Sequence, residues 1–168
     1  MNVSQPPGVA IRRAAPDDAE ALTHLHLDCW DDAYTGLVPQ ELLDARRADV
    51  ASRVGKWRTA LENGAVVWLA EHGAELVGFS GAADGRDPVG AIATELRVLY
   101  VRAAWWGTGV GHTLLEAALG DRAAYLCVLE GNDRAIGFYE RHGFARDGHV
   151  EDAPEGPHVR MVRQSLTP

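Results

Sequence analysis

The chain has 168 residues, of which 46% are hydrophobic and 24% are charged, a composition typical of one globular domain. Its net charge of −8 argues against general nucleic-acid binding, which requires basic surface, and is compatible with a cationic or amine-bearing small substrate. No apolar run approaches the ~18 residues of a membrane-spanning helix. The N-terminus also lacks the basic and apolar segments of a secretory signal. We therefore expect a cytoplasmic protein that does not bind membranes.

The domain organisation is expected to be simple. We predict a disordered leader at residues 1–8 and a single domain over residues 9–168, because no linker, repeat or low-complexity tract interrupts that stretch. Cys29 and Cys127 stand alone, without ligand-like neighbours in the sequence. This spacing predicts neither a disulfide bond nor a metal site.

The N-terminal half predicts one strand followed by two helices. The run VAIRRA alternates and is typical of a short strand. The acidic stretch PDD at residues 16–18 marks the start of a helix, and apolar residues then recur at spacings of three and four. A second helix is predicted over residues 41–61, which are rich in Ala, Leu and Arg.

The C-terminal half predicts strands interrupted by two helices. AVVWLAEHGAELVGFSGAAD is typical of a hairpin, DGRDPVG of a turn-rich loop, and AIATELRVLYV of a third long strand. A glycine-rich turn and a helix follow, then the buried strand AAYLCVLE, a short helix that ends at Gly143, and two closing strands. This order of elements predicts a mixed α/β domain around one sheet.

The glycine-rich turn, WWGTGVGHTLLEAAL, contains Gly107, Gly109 and Gly111 at every second position. Such a turn between a strand and a helix points several backbone N–H groups at one place, beside the positive end of the helix dipole. A phosphate or pyrophosphate would fit there, although a tight turn with close helix–sheet packing explains the glycines equally well. The turn is not a Walker loop, because no Lys-Ser/Thr follows, and its spacing is unlike a dinucleotide fingerprint.

Two longer segments resemble the GNAT superfamily of acetyl-CoA-dependent N-acetyltransferases. They are ELRVLYVRAAWWGTGVGHTLLEAAL and LCVLEGNDRAIGFYERHGF, and the N-terminal segment IRRAAPDDAEALTHLHLDCWDDAYTGLVP is similar to the opening of many bacterial members. The resemblance covers about residues 9–165. It implies an α/β (α+β) fold with a mixed, mainly antiparallel central sheet of about six to seven strands, flanked by about four helices. It also implies acetyl-CoA as cosubstrate and no metal. A homodimer is common in relatives and is therefore possible here, although the sequence alone does not give the oligomeric state.

The resemblance assigns coenzyme A contacts position by position. The backbone amides of residues 107–112 would hold the pyrophosphate, and the end of the preceding strand would pair with the pantetheine arm. Trp106 stands where Arg or Gln is usual, so one side-chain donor to the phosphates is missing, and Arg102, Arg134 or Arg141 could contribute instead. The implied coenzyme-binding residues are Leu99, Tyr100, Val101, Trp106, Gly107, Thr108, Gly109, Val110, Gly111, His112, Asn132 and Tyr139.

The implied reaction is direct attack of a neutral amine on the thioester, without a covalent enzyme intermediate. Tyr139 would then give a proton to the departing thiolate, because a phenol can act as a general acid when the geometry is tight. The alternative is a core tyrosine beside Phe138 and Phe144. Glu95 is the candidate base, and alternation along its strand predicts that it shares a face with Arg97 and Leu99. The alternative for Glu95 is a solvent-facing or Arg97-paired carboxylate.

The acceptor is expected to be a small-molecule amine rather than a protein. Trp30, Asp31 and Tyr34 lie where relatives place acceptor-binding residues, and an aromatic wall with one acid suits a cationic amine. Core packing is an equally good explanation for these three residues. The alternative function is a non-catalytic acyl-CoA-binding or regulatory module on the same fold.

Overall fold

The structure, a computed structural model, describes residues 6–167. Of the predicted leader, residues 1–5 lie outside the described part, and Pro7 and Gly8 form a turn ahead of the first strand. The strands are β1 Val9–Arg13, β2 Val67–His72, β3 Glu75–Val89, β4 Ile92–Val101, β5 Ala124–Leu129, β6 Ala145–Ala153 and β7 Gly156–Arg163; the helices are α1 Ala19–Tyr34, α2 Gln40–Ala48, α3 Val50–Glu62, α4 Val110–Leu119 and α5 Asp133–Arg141.

All seven strands form one sheet in the order β1-β2-β3-β4-β5-β7-β6. Neighbouring strands pair antiparallel, except for β4 and β5, which are parallel. This arrangement confirms the expected mixed, mainly antiparallel sheet. Parallel neighbours need a crossover connection, and here α4 supplies it. Among the described residues, no helix combines the length and the apolar character that crossing a membrane would require.

Helices cover both faces of the sheet. On one face, Leu114 and Leu115 of α4 are fully buried, as their helical spacing predicts. On the other face, Leu22 of α1 and Leu61 of α3 pack against Phe79 of β3. Burial of each such side chain contributes roughly 1.5–3 kcal/mol to folding, so the two apolar layers hold the central strands in place.

The predicted second helix is in fact two helices. The chain leaves helical geometry at Asp49, which has φ −105° and ψ 31°, and α3 starts at the next residue. Asp is a poor helix-interior residue because its side chain competes for backbone hydrogen bonds. The Arg53 side chain also donates to the Arg46 carbonyl at 3.1 Å and so satisfies the end of α2.

The predicted DGRDPVG loop belongs instead to β3. The hairpin with β4 closes at Val89 and Ile92, around a two-residue turn in which Gly90 has φ +58°. Pro88 cannot donate a ladder hydrogen bond, and it lies in the interval between Asp84 and Val89 where the register is irregular. The turn residues therefore bend the end of a long strand without terminating it.

Candidate active site

The site begins where two neighbouring strands of the sheet separate. The register between β4 and β5 contains a single pair, Glu95 with Tyr125. Beyond this pair the strands diverge, and a cleft of about 390 Å³ lies between them. The backbone groups on the two facing edges are available to an extended ligand, which can bind as an added strand would.

The cleft passes through the sheet from one face to the other. Its lining includes Leu99 and Phe138, which pack on the α4–α5 side. It also includes Tyr34 and Tyr100, which pack on the α1 side. A ligand inserted from the first side can therefore meet a second molecule that enters from the other.

A β-bulge in β4 changes which side chains share a face. Gly81 pairs with Val98 and Ala82 pairs with Leu96, so Arg97 is the extra residue. A bulge of one residue inverts the alternation beyond it. Glu95 consequently lies on the same face as Val98, opposite to Leu99. The prediction that Glu95 and Leu99 share a face is therefore wrong, because it assumed an unbroken strand.

The Glu95 carboxylate is buried in an ion pair beside the base of the cleft. It is 2% exposed and accepts hydrogen bonds from the Arg86 side chain and from the Arg86 backbone N–H at 3.1 Å. Arg97 Nε lies 3.6 Å away. Burial alone would raise the pKa of Glu95, but the Arg86 hydrogen bonds outweigh it and lower the pKa. Glu95 does not line the cleft, and a carboxylate held in this way is a weak proton acceptor.

We expect Glu95→Gln to destabilise the fold by roughly 1–3 kcal/mol at neutral pH, the contribution of hydrogen bonds to a charged group. Since folding lowers the pKa of Glu95, this stabilisation is present above the ordinary carboxyl range and is lost as the pH falls through the folded pKa. Urea unfolding at neutral and acidic pH should show the difference shrink on acidification. Glu75→Gln, at an exposed position in β3, is the matched control. A difference that persists at acidic pH would contradict the ion-pair role.

The start of α4 presents a group of unused backbone donors. Gly109 caps the helix with φ +97°. The N–H groups of Gly109 and of residues 110–112 have no acceptor among the described residues. Most of the residues predicted to bind coenzyme A line the cleft: Leu99, Tyr100, Val101, Trp106, Gly107, Gly109, Gly111, His112, Asn132 and Tyr139. Thr108 instead bonds to the Trp105 carbonyl at 2.7 Å, and the Val110 side chain is buried in the core.

An arginine lies against Trp106 at the mouth of this turn. The indole donates to the Val101 carbonyl at 2.8 Å, which fixes the ring at the end of β4. The Arg134 guanidinium lies 3.8 Å from the ring centroid, in cation–π contact. Arg134 and Arg141 line the cleft. Arg102 is instead paired with Asp32 at 2.8 Å, which removes it from the candidate phosphate ligands.

Comparison with known proteins decides the family. The sequence model of the acetyltransferase (GNAT) family matches residues 19–144, more than half of the chain. The chain belongs to the GNAT family. It is also 28% identical to a probable N-acetyltransferase of Mycobacterium tuberculosis over 150 residues, which cover 87% of this chain and 85% of that protein.

Solved GNAT structures share the fold. The GCN5-related N-acetyltransferase from Rhodopseudomonas palustris superposes with a TM-score of 0.71 at 21% identity and covers 99% of both chains. PaiA N-acetyltransferase from Thermoplasma acidophilum, solved in complex with coenzyme A, has a TM-score of 0.68 at 21% identity over 93% of this chain and 98% of its own. The Salmonella typhimurium protein yncA, solved with acetyl-CoA, has a TM-score of 0.66 at 20% identity over 93% of both.

Two predicted GNAT residues of α5 meet at the cleft. Asn132 is the helix N-cap, and its side-chain oxygen accepts from the Ala135 N–H at 3.3 Å. Tyr139 lies further along α5, and its ring makes edge contacts with those of Phe138 and Phe144. Burial raises the pKa of Tyr139, and nearby Tyr34 raises it further, so the phenol keeps its proton at neutral pH.

A histidine pair that the sequence did not reveal adjoins the α4 start. His112 Nδ1 lies 3.0 Å from His142 Nε2, and His142 Nδ1 lies 2.7 Å from the Phe138 carbonyl. The carbonyl can only accept, so His142 donates to it from Nδ1. His112 was predicted to contribute its amide, and His142 carried no signal beyond its place after α5.

The α1 side of the cleft is aromatic. Trp30 and Tyr34 line it, with ring centroids 4.7 Å apart, and the Tyr34 hydroxyl is 3.5 Å from that of Tyr100. Asp31 does not line the cleft and is paired with Arg47. Asp31 is therefore not available to pair with the amine as predicted, because Arg47 of α2 already forms an ion pair with its carboxylate.

Two polar residues of the cleft escaped the sequence analysis. Glu155, in the turn between β6 and β7, and His158, in β7, both line the cleft. Neither lies within a recognisable motif. Only the pairing of β7 with β5 brings them to the cleft, so a local pattern could not have identified them.

Proposed function

We propose that this GNAT protein transfers an acetyl group from acetyl-CoA to a small primary amine by direct attack in a ternary complex. The observation that carries the proposal is the cleft through the sheet. One end has the unused N–H groups at the start of α4, the other has the aromatic wall of Trp30 and Tyr34, and Tyr139 also lines the cleft.

The residues at the α4 end fit coenzyme A. Free N–H groups at a helix start bind phosphate oxygens, and the helix dipole favours their negative charge. Arg134, which forms no ion pair among the described residues, adds the positive charge that Trp106 lacks. The open edge of β4 at residues 99–101 offers backbone hydrogen bonds to the amides of the pantetheine arm. The coenzyme-bound neighbours with the same fold support this assignment.

The chemistry follows from groups along the cleft. The amine nitrogen attacks the acetyl carbonyl, the C–N bond forms, and the C–S bond breaks. Backbone N–H groups near residues 98–100 stabilise the negative charge that develops on the carbonyl oxygen. Tyr139 donates its phenolic proton to the departing thiolate and is reprotonated from solvent. The raised pKa of Tyr139 keeps this proton available throughout the neutral range.

A covalent enzyme intermediate is not part of the proposal. Cys127 lines the cleft, but burial raises the pKa of its thiol and disfavours the reactive thiolate. Cys29 is buried in the core, where burial raises its pKa to about 12. Direct transfer therefore needs fewer unfavourable ionisations than a thiol relay.

Thiol release from acetyl-CoA against a panel of small amines tests the proposal, together with calorimetric titration of coenzyme A. We expect saturable coenzyme binding and turnover with at least one class of amine. Binding without turnover across small amines and peptides would favour the non-catalytic alternative. Absence of coenzyme binding would overturn the proposed cosubstrate and, with it, the acetyl transfer.

A further inference from the structure

We propose that the imidazole of His158 accepts the proton that the acceptor amine loses. The inference rests on the proposed acetyl transfer and adds the one group that the reaction still requires, a base. The observations that carry it are the position of His158 on the acceptor side of the cleft and a hydrogen bond that leaves one ring nitrogen free.

The pairing of strands places the ring. His158 lies directly opposite Leu129 in the antiparallel register of β7 and β5, so the two side chains share a face. Leu129 packs with Tyr34 on the α1 side. The next residue, Val159, packs into the α4–α5 layer on the opposite face. His158 therefore faces the half of the cleft through which the acceptor enters.

The hydrogen bond at Nδ1 fixes the tautomer. His158 Nδ1 lies 3.0 Å from the Gly156 carbonyl oxygen, and because a carbonyl can only accept, Nδ1 carries the hydrogen of the neutral ring. Nε2 then holds the lone pair. It has no hydrogen-bond partner in the described part of the chain. A neutral imidazole with its lone pair open to a cleft is suited to general base catalysis.

Two carboxylates lie next to the ring. Glu155 lines the cleft beside it, and Glu151 is its cross-strand partner on β6. Neither carboxylate is in an ion pair among the described residues. The other titratable or charged groups around the ring are Cys127 of β5, Arg160 of β7, Tyr34 of α1 and Arg134 of α5. Of these, Arg160 is already paired with Asp147 and Asp87.

Other candidate bases are poorly placed. Glu95 is held by Arg86 outside the cleft. His26 packs among aromatic rings, and burial lowers its pKa to about 3. His112 and His142 bond to each other at the coenzyme end. In the proposed step, the amine proton moves to His158 Nε2 as the C–N bond forms, and the imidazolium later releases it to solvent.

The test is His158→Asn, because an asparagine amide can still donate to the Gly156 carbonyl but has no basic lone pair. We expect kcat/KM for the amine to fall by about 10²–10⁴-fold, the usual contribution of a general base. Coenzyme A affinity should not change. His149→Asn, at an exposed position of the same hairpin, is the matched control and should retain activity.

A measurement independent of turnover accompanies the kinetics. In ¹⁵N-histidine spectra, with His158 assigned from the variant, we expect the neutral ring to be the Nδ1–H tautomer. If wild type turns over and His158→Asn keeps its rate, the base is elsewhere while acetyl transfer stands. If no amine is acetylated, the transfer itself fails; an Nε2–H tautomer would separately overturn the role of His158.

Discussion

Tyr139→Phe is expected to lower kcat by about 10²–10⁴-fold, the range for loss of a general acid, while the affinity for coenzyme A stays unchanged. The substitution removes a single hydroxyl. The ring contacts with Phe138 and Phe144 remain, and no protein group in the described structure bonds to the hydroxyl. Loss of packing therefore cannot explain a slower reaction. Steady-state kinetics measure kcat, calorimetric titration measures the affinity for coenzyme A, and thermal unfolding measures the stability of the variant.

Tyr125→Phe is the matched control because it deletes the same atom outside the cleft. The Tyr125 hydroxyl accepts from the Asp87 N–H at 2.9 Å and lies 3.5 Å from Glu95. We expect this variant to lose about 1 kcal/mol of stability and to keep its turnover. If Tyr139→Phe were as active as wild type, the phenol would be a core residue. Intact coenzyme A binding with no turnover in wild type or in Tyr139→Phe would point to a non-catalytic acyl-CoA-binding module.

Local sequence was sufficient for the backbone at the α4 end of the cleft. The apolar spacing of α4, its glycine start and the strand before it lie within one continuous segment, so periodicity and turn chemistry predict each of them. The N-cap role of Asn132 is local in the same sense. Features of this kind depend on residues a few positions apart, and such interactions are visible in a sequence.

The α1 end of the cleft depends on contacts between distant segments. Trp30 and Tyr34 line it as predicted, but the predictions for Glu95 and Asp31 failed for that reason. A one-residue bulge turned Glu95 away from Leu99. Asp31 was expected to suit a cationic amine, but it pairs with Arg47 of α2, and the neighbouring Asp32 pairs with Arg102 after β4. Net charge therefore says little about this cleft, where Glu155 and His158 arrive through the β5–β7 pairing.

The two ends of α4 offer a second test with a large expected effect. Gly109 precedes the helix with φ +97°, and Gly120 follows it with φ +52°. Alanine at Gly109 must adopt a left-handed conformation, which costs roughly 1–2 kcal/mol. Gly120 has ψ −135°, outside the left-handed helical region and close to one that essentially only glycine occupies. Gly120→Ala should thus lose at least as much stability as Gly109→Ala in chemical unfolding. Of these two glycines, only Gly109 belongs to the group of free N–H donors in the cleft.

We expect Gly109→Ala to weaken coenzyme A binding by about tenfold or more, a loss of about 1.4 kcal/mol or more, and Gly120→Ala to leave it unchanged. The added methyl group displaces the backbone where phosphate oxygens must approach the N–H groups closely. Titration with pantetheine, which lacks the phosphates, separates the causes: its binding should suffer little in Gly109→Ala. If both variants lost coenzyme affinity equally, general loosening of α4 would be responsible. Equal losses for coenzyme A and pantetheine in Gly109→Ala would move the phosphate site away from this turn.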